Sequence, residues 1–315
     1  MGLNLRKTVF EFLKARPEER FTARQIAQWV FENCQEACEE KRSQSRQDLT
    51  TDDAFLQQLA AEISTNRPDI LRRHQEVKTT ESRPRRYFYT TVSDEAEVVR
   101  VEGGSVPPEP LPNTSPGRSE QQLYPLLCKY LHTDWNIYPK RIDDRRSSNR
   151  RGPNGNKWLF PDIVGMEDLS SDWDGEVRDC VNQYGDKRAK LWSFEVKLLL
   201  NRSNVREAWF QTVSNSSWAN IGYLVTSEVE GDDTMKELQM LSSAHGIGLM
   251  RLNADDPSES EILIPARERP GIDWDACNRL AKENSDFMLF IKLVRQFHQT
   301  GEPRKGDWDV PLRRE

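Results

Sequence analysis

The chain has 315 residues, 30% of them charged and 36% hydrophobic, and a formal net charge of −6. That length suits two domains with a connecting segment. The acidic balance argues against a protein that coats nucleic acid by bulk charge, and no apolar run is long enough to span a bilayer.

Residues 1–92 read as one small α+β unit. Leu5, Val9, Phe10, Phe12 and Leu13 recur at helical spacing. Thr22 is placed to cap a second helix over Ala23–Val30, with Phe21 and Ile26 flanking it as a staple. The stretch from Trp29 to Asp53 is long and highly charged, so the second helix is extended there or a loop follows it. Asp52-Asp53 opens a further helix carrying Phe55, Leu56, Leu59 and Ile63. Glu76 to Val92 alternates and turns near Ser82-Arg83-Pro84, which predicts a hairpin. Helices followed by a basic hairpin are the order of a winged helix. Arg83, Arg85 and Arg86 on the wing are candidate phosphate contacts. The unit holds 16 Lys/Arg against 14 Asp/Glu, so charge leaves both a DNA partner and a protein partner open.

Residues 93–118 are rich in Pro and Gly and read as a linker that tethers two DNA-contacting units. A second unit is predicted over residues 119–265, as a mixed sheet flanked by helices. Its helix opens at Ser119, where Ser119-x-x-Gln122 has capping-box spacing. A strand follows near Ile137–Ile142. Residues 140–157 then carry seven positive and two negative side chains. Arg145, Arg146, Arg150 and Arg151 make this basic loop a second candidate for phosphate contact, or it is a solvated loop.

Two apolar runs, expected to be strands, contain ionisable residues. Asp162 lies in Trp158-Leu159-Phe160-Pro161-Asp162-Ile163-Val164-Gly165. Glu195 and Lys197 lie in Leu191-Trp192-Ser193-Phe194-Glu195-Val196-Lys197-Leu198. Burying such a charge unpaired costs several kcal/mol, on the order of known desolvation penalties. Glu195 and Lys197 share a strand face. A divalent cation held by Asp162 and Glu195, with Lys197 beside it, explains all three charges. Two hard carboxylates suit Mg²⁺, with Mn²⁺ as a substitute, and such a site can attack a phosphodiester with water. The other reading makes Asp162 a turn residue and places Glu195 and Lys197 on a charged edge strand.

Pro161-Asp162 followed by Glu195-Val196-Lys197 resembles the motif of the PD-(D/E)XK nuclease superfamily. The resemblance extends to Glu120 on the preceding helix and to Gln211 on the helix after the Lys197 strand. It implies a Mg²⁺-dependent endodeoxyribonuclease of restriction or antiviral defence, with DNA as its partner and a homodimer or accompanying defence proteins also in view. Asp162, Glu195, the Val196 carbonyl and Glu120 are the implied metal ligands. Lys197 is implied to orient or activate water, and Gln211 to position the strand. Helix-dipole support explains Glu120 equally well. A catalytically inactive member that only binds DNA is the rival reading. The 162–195 separation is long for this family, which suggests an inserted hairpin or a different strand pairing. The insert is acidic, with Glu167, Asp168, Asp172, Asp174, Glu176, Asp179 and Asp186.

Beyond these, βαβ patterning over Glu195–Leu252 predicts parallel strands, with Ser203-Asn204 capping the first helix. Residues 266–315 form a tail whose Asp273–Gln299 stretch reads as one long helix, either docked on the core or forming a dimer face. Five scattered cysteines and the absence of a leader-like segment fit reduced, cytoplasmic thiols. Cys34 and Cys38 lack the companion pair that a zinc site requires, so they are expected to pack in a core.

Overall fold

The structure, a computed structural model, describes residues 3–43, 51–102, 119–149, 155–185 and 187–310. The N-terminal unit contains α1 (Leu5–Lys14), β1 (Phe21–Thr22), α2 (Ala23–Asn33), α3 (Gln35–Ser43), α4 (Asp52–Arg73), β2 (Val77–Thr79) and β3 (Arg86–Tyr89). The three strands form an antiparallel sheet in the order β1-β3-β2. Thr22 caps α2 as expected, and Gln25 makes the cap reciprocal: the Gln25 N–H donates to Thr22 Oγ1 at 3.2 Å, and the Thr22 N–H to Gln25 Oε1 at 2.8 Å. Val9, Phe12, Ile26, Val30, Phe55, Leu59 and Ile63 join in one core. The charged stretch after α2 becomes the separate short helix α3, whose buried Cys38 packs into that core.

The expected linker is helical at its start, where α5 spans Asp94–Glu102. Residues 103–118 lie outside the described residues. Three acidic residues in the first turn of α5 suit a helix N-terminus, and Lys78 bridges Asp94 and Glu97 there. Asn201 donates to the Asp94 carbonyl at 2.9 Å, which ties α5 to the second unit. The two units also meet directly. The Glu81 N–H donates to the Val229 carbonyl at 2.9 Å, the Gly231 N–H to the Thr79 carbonyl at 3.0 Å, and Arg20 pairs with both Glu228 and Glu230. Among the described residues the two units are thus joined at several points.

The second unit runs α6 (Glu120–Trp135), β4 (Ile137–Arg141), β5 (Ile163–Asp168), α7 (Gly175–Tyr184), β6 (Ala189–Leu200), α8 (Val205–Asn215), β7 (Ile221–Val229), α9 (Asp232–His245), β8 (Gly248–Arg251), β9 (Glu261–Ile264), α10 (Trp274–Glu283) and α11 (Ser285–Thr300). Its six strands lie in the order β4-β5-β6-β7-β8-β9. β6-β7 and β7-β8 are parallel, as the βαβ pattern predicts, and the other pairs are antiparallel. α6 covers one face through Leu123, Leu127 and Leu131, against Phe194, Val196 and Leu198 of β6. The other face carries α8 and α9 over Leu224 and Leu249, and α10 and α11 over Val164, Met166 and Leu191.

Several expectations are corrected. The Asp162 strand begins only at Ile163, so Asp162 sits in the bend before it; Pro161 has no N–H to give a ladder. The insert before Glu195 holds helix α7 rather than a hairpin, and β5 and β6 are direct antiparallel neighbours. Its Asp186 lies outside the described residues. Asn204 does not cap α8 with its side chain, which instead donates to the Leu199 carbonyl at 2.8 Å. The C-terminal helix is two helices broken at Asn284, whose side chain accepts from the Asp286 and Phe287 N–H groups. These helices dock on the sheet: Phe287, Phe290 and Phe297 are fully buried, each contributing roughly 2–3 kcal/mol of transfer free energy. No helix among the described residues is long and apolar enough to cross a membrane.

Candidate active site

The site arises where β6 outruns β5. β6 pairs with β5 only from Ala189 to Phe194, whereas it continues along β7 to Leu200. Beyond Phe194 its β5 side has no strand partner. Asp162 fills that gap with its side chain: the Val196 N–H donates to Asp162 Oδ2 at 2.8 Å, where a strand would offer a carbonyl. The Val196 carbonyl faces the same side, because N–H and C=O of one extended residue point together. The Tyr124 hydroxyl of α6 donates to Asp162 Oδ1 at 2.8 Å.

Glu195 is 2% exposed and faces α8. Its Oε1 accepts from Lys197 Nζ at 3.1 Å and from Gln211 Nε2, and its Oε2 accepts from Asn215 Nδ2 at 2.9 Å. Lys197 Nζ also lies 3.7 Å from Glu120 Oε1 at the first turn of α6. The Ser119–Gln122 capping box is present, so Glu120 occupies a helix N-terminus and also reaches the site. Glu120, Tyr124, Asp162, Glu195, Lys197 and Gln211 line one open cleft of about 1130 Å³.

The electrostatics follow from three carboxylates around one ammonium. Burial pushes the Glu120 carboxyl up to about 7, with Lys197 opposing the rise and Asp162 adding to it. Glu195 is pushed well above its ordinary value by burial and then by Asp162, against the pull of Lys197 and Asn215. Burial alone would lower Lys197, but Glu195, Glu120 and Asp162 outweigh it and hold the ammonium protonated. Burial and the neighbouring Asp162 raise Tyr124, which stays a neutral donor.

The structure thus brings together Asp162, Glu195, Lys197, Glu120 and Gln211. Among the described residues no group of three or more His, Cys, Asp or Glu side chains converges in a metal-holding arrangement. The oxygen donors are instead the Asp162 carboxylate in the bend before β5, the Glu195 carboxylate on β6 and one backbone carbonyl. Such a set suits a hard cation that keeps several waters. Gln211 Oε1 and Asn215 Oδ1 are buried without a partner, as expected of a polar pocket built for more than the protein's own groups.

The candidate DNA contacts divide. Arg145 is exposed and lines the cleft, while Arg146 lines it but is paired with Asp286 at 2.8 Å. Arg150 and Arg151 lie outside the described residues. Arg83 and Arg86 are exposed on the N-terminal hairpin and are not among the residues lining the cleft, and Arg85 pairs with Glu81. Two site residues do not stand out in the sequence, Tyr124 and Asn215. Each lies four positions after a residue that does, Glu120 and Gln211, and so on the same helix face; that spacing is the available signal. Comparison with protein-family models, with curated proteins and with solved structures returns no match.

Proposed function

We propose that this protein is a Mg²⁺-dependent endodeoxyribonuclease of the PD-(D/E)XK type, acting in restriction or antiviral defence in the cytoplasm. The observation that carries the reading is the charge imbalance at the end of β6. Fully ionised, Asp162, Glu195 and Glu120 against Lys197 leave an excess of two negative charges, which one divalent cation neutralises. Without it, burial is the main cause that raises the Glu120 carboxyl, and the Asp162 charge adds to the rise.

Asp162, Glu195 and the Val196 carbonyl would hold the cation, with Glu120 at its margin. Bound there, it would polarise a phosphodiester and promote ionisation of a water. Lys197 is a donor in this arrangement, since three carboxylates keep its proton on. Its role is to hold a phosphate oxygen or to orient the attacking water. Gln211 steadies the Glu195 carboxylate on its Lys197 side. Arg145 at the cleft rim supplies charge for the DNA backbone. The N-terminal unit, with its helices and three-stranded sheet, is read as a winged helix that docks on DNA or on a protein partner.

One observation favours a second reading, a DNA-binding protein with an inactive nuclease fold: every oxygen of Asp162 and Glu195 already accepts a hydrogen bond from the chain. Cleavage separates the two. Supercoiled plasmid with Mg²⁺ should be nicked by the native protein, and D162A and K197A should each slow nicking by about 100-fold or more. Equal cutting by all three proteins, or none by the native chain on modified and unmodified DNA alike, rules the nuclease out.

A further inference from the structure

Asn215 ends α8 and is 1% exposed. Its Nδ2 faces three acceptors: Glu195 Oε2 at 2.9 Å, the Phe160 carbonyl at 3.0 Å and the Lys157 carbonyl at 3.0 Å. Two N–H bonds are thereby spread over three oxygens. One acceptor is the buried carboxylate on β6; the other two belong to the segment that leads into Pro161-Asp162. Meanwhile Oδ1 of the same amide is buried with no partner. An unsatisfied carbonyl oxygen costs about 1–3 kcal/mol. The amide is therefore turned to present its donor, not to make the most hydrogen bonds.

We infer that Asn215 is a positioning residue that sets the distance between Glu195 and Asp162, and through it the affinity of the site for a divalent cation. This rests on the nuclease reading only in so far as those two carboxylates hold a metal. Asp162 is in a bend rather than in the β5 ladder; besides its own bonds to Tyr124, Val196 and the Ile142 N–H, its placement depends on what anchors residues 157–161. Asn215 anchors that segment to the very carboxylate with which Asp162 would share the cation. Outer hydrogen bonds of this kind govern metal affinity without touching the metal. Lys157, one of the tied residues, ends the basic loop, so a DNA backbone pulling on that loop acts on the carboxylate spacing through one amide.

The test uses the full-length protein and Mn²⁺ titrated by calorimetry, with thermal unfolding in EDTA measured alongside. Asn215→Ala and the milder Asn215→Ser should weaken Mn²⁺ binding about 10-fold or more, and the Mg²⁺ concentration for half-maximal nicking should rise in step. The control is Ser214→Ala. Ser214 Oγ ties the same segment at the Trp158 carbonyl, 2.8 Å away, without touching Glu195; its loss should leave Mn²⁺ affinity unchanged. Unaltered affinity in both Asn215 variants, or an equal loss in S214A, overturns the inference while the nuclease reading stands. A native protein that binds no Mn²⁺, or binds it equally after D162A, overturns both.

Discussion

The Tyr124 hydroxyl and the Val196 N–H hold the two oxygens of Asp162 from opposite elements, each at 2.8 Å. A helix and a strand thus fix a carboxylate that no strand ladder supports. The contact with Tyr124 also competes with a cation for Oδ1.

Tyr124→Phe removes that donor and nothing else of the ring. A hydrogen bond to a charged group contributes about 1.5–3 kcal/mol, so the metal-free variant should lose stability by roughly that amount. Adding Mg²⁺ should recover most of the loss, because the cation takes over the freed oxygen. Urea unfolding with and without Mg²⁺ checks this; a deficit unchanged by the ion counts against a metal at Asp162.

The raised Glu120 carboxyl has a pH signature. Its folded value of about 7 lies above the ordinary 4.5, burial being the main cause, so the folded protein binds more protons between those values. Ionising Glu120 therefore costs stability: the penalty is absent below pH 4.5, grows through the interval and is complete above 7. Glu120→Gln should unfold at a higher temperature than the native protein at pH 8 in EDTA. With the side chain 27% exposed, the gain should be about 1–2 kcal/mol. It should vanish by pH 4.5, and Mg²⁺ should stabilise the native protein more than the variant. A less stable variant at pH 8 would show that the ion pair with Lys197 outweighs burial.

Gly248 admits no side chain. A Cβ there would lie 2.3 Å from Tyr223 Cε1. That ring is stacked on Trp192 and meets Trp135 edge-on, and its hydroxyl accepts from the Ala266 N–H at 3.1 Å, so it has nowhere to move. Gly248→Ala should cost about 2–3 kcal/mol in denaturant unfolding; a loss below about 0.5 kcal/mol would mean the strands part easily.

Asp162, Glu195 and Lys197 are legible in the sequence because charge inside an apolar run violates the usual burial pattern, and period two places the latter pair on one face. Glu120 and Gln211 are legible only through the resemblance. Tyr124 and Asn215 are not: a Tyr or Asn on a helix face is unremarkable until the strand opposite is known to lack a neighbour. The same tertiary fact hides the start of β5, since apolar residues 158–160 read as strand although Pro161 interrupts the ladder. Asn284 looks like one more polar position of a long helix, but its side chain caps the second of two. The helix over Asp94–Glu102 carries a clear acidic first turn, masked by the run of prolines from Pro107 to Pro116.

The contact of the N-terminal hairpin with the end of β7 has a geometric consequence. Its backbone bonds to Val229 and Gly231, together with the Arg20 ion pairs, join the two units at several points a few residues apart. A hinge of one bond allows rotation; a seam of several does not. For the proposed nuclease, any sequence read by the first unit would then lie at a constant offset from the cut, and fragment ends would fall at one measured spacing rather than scatter along the duplex.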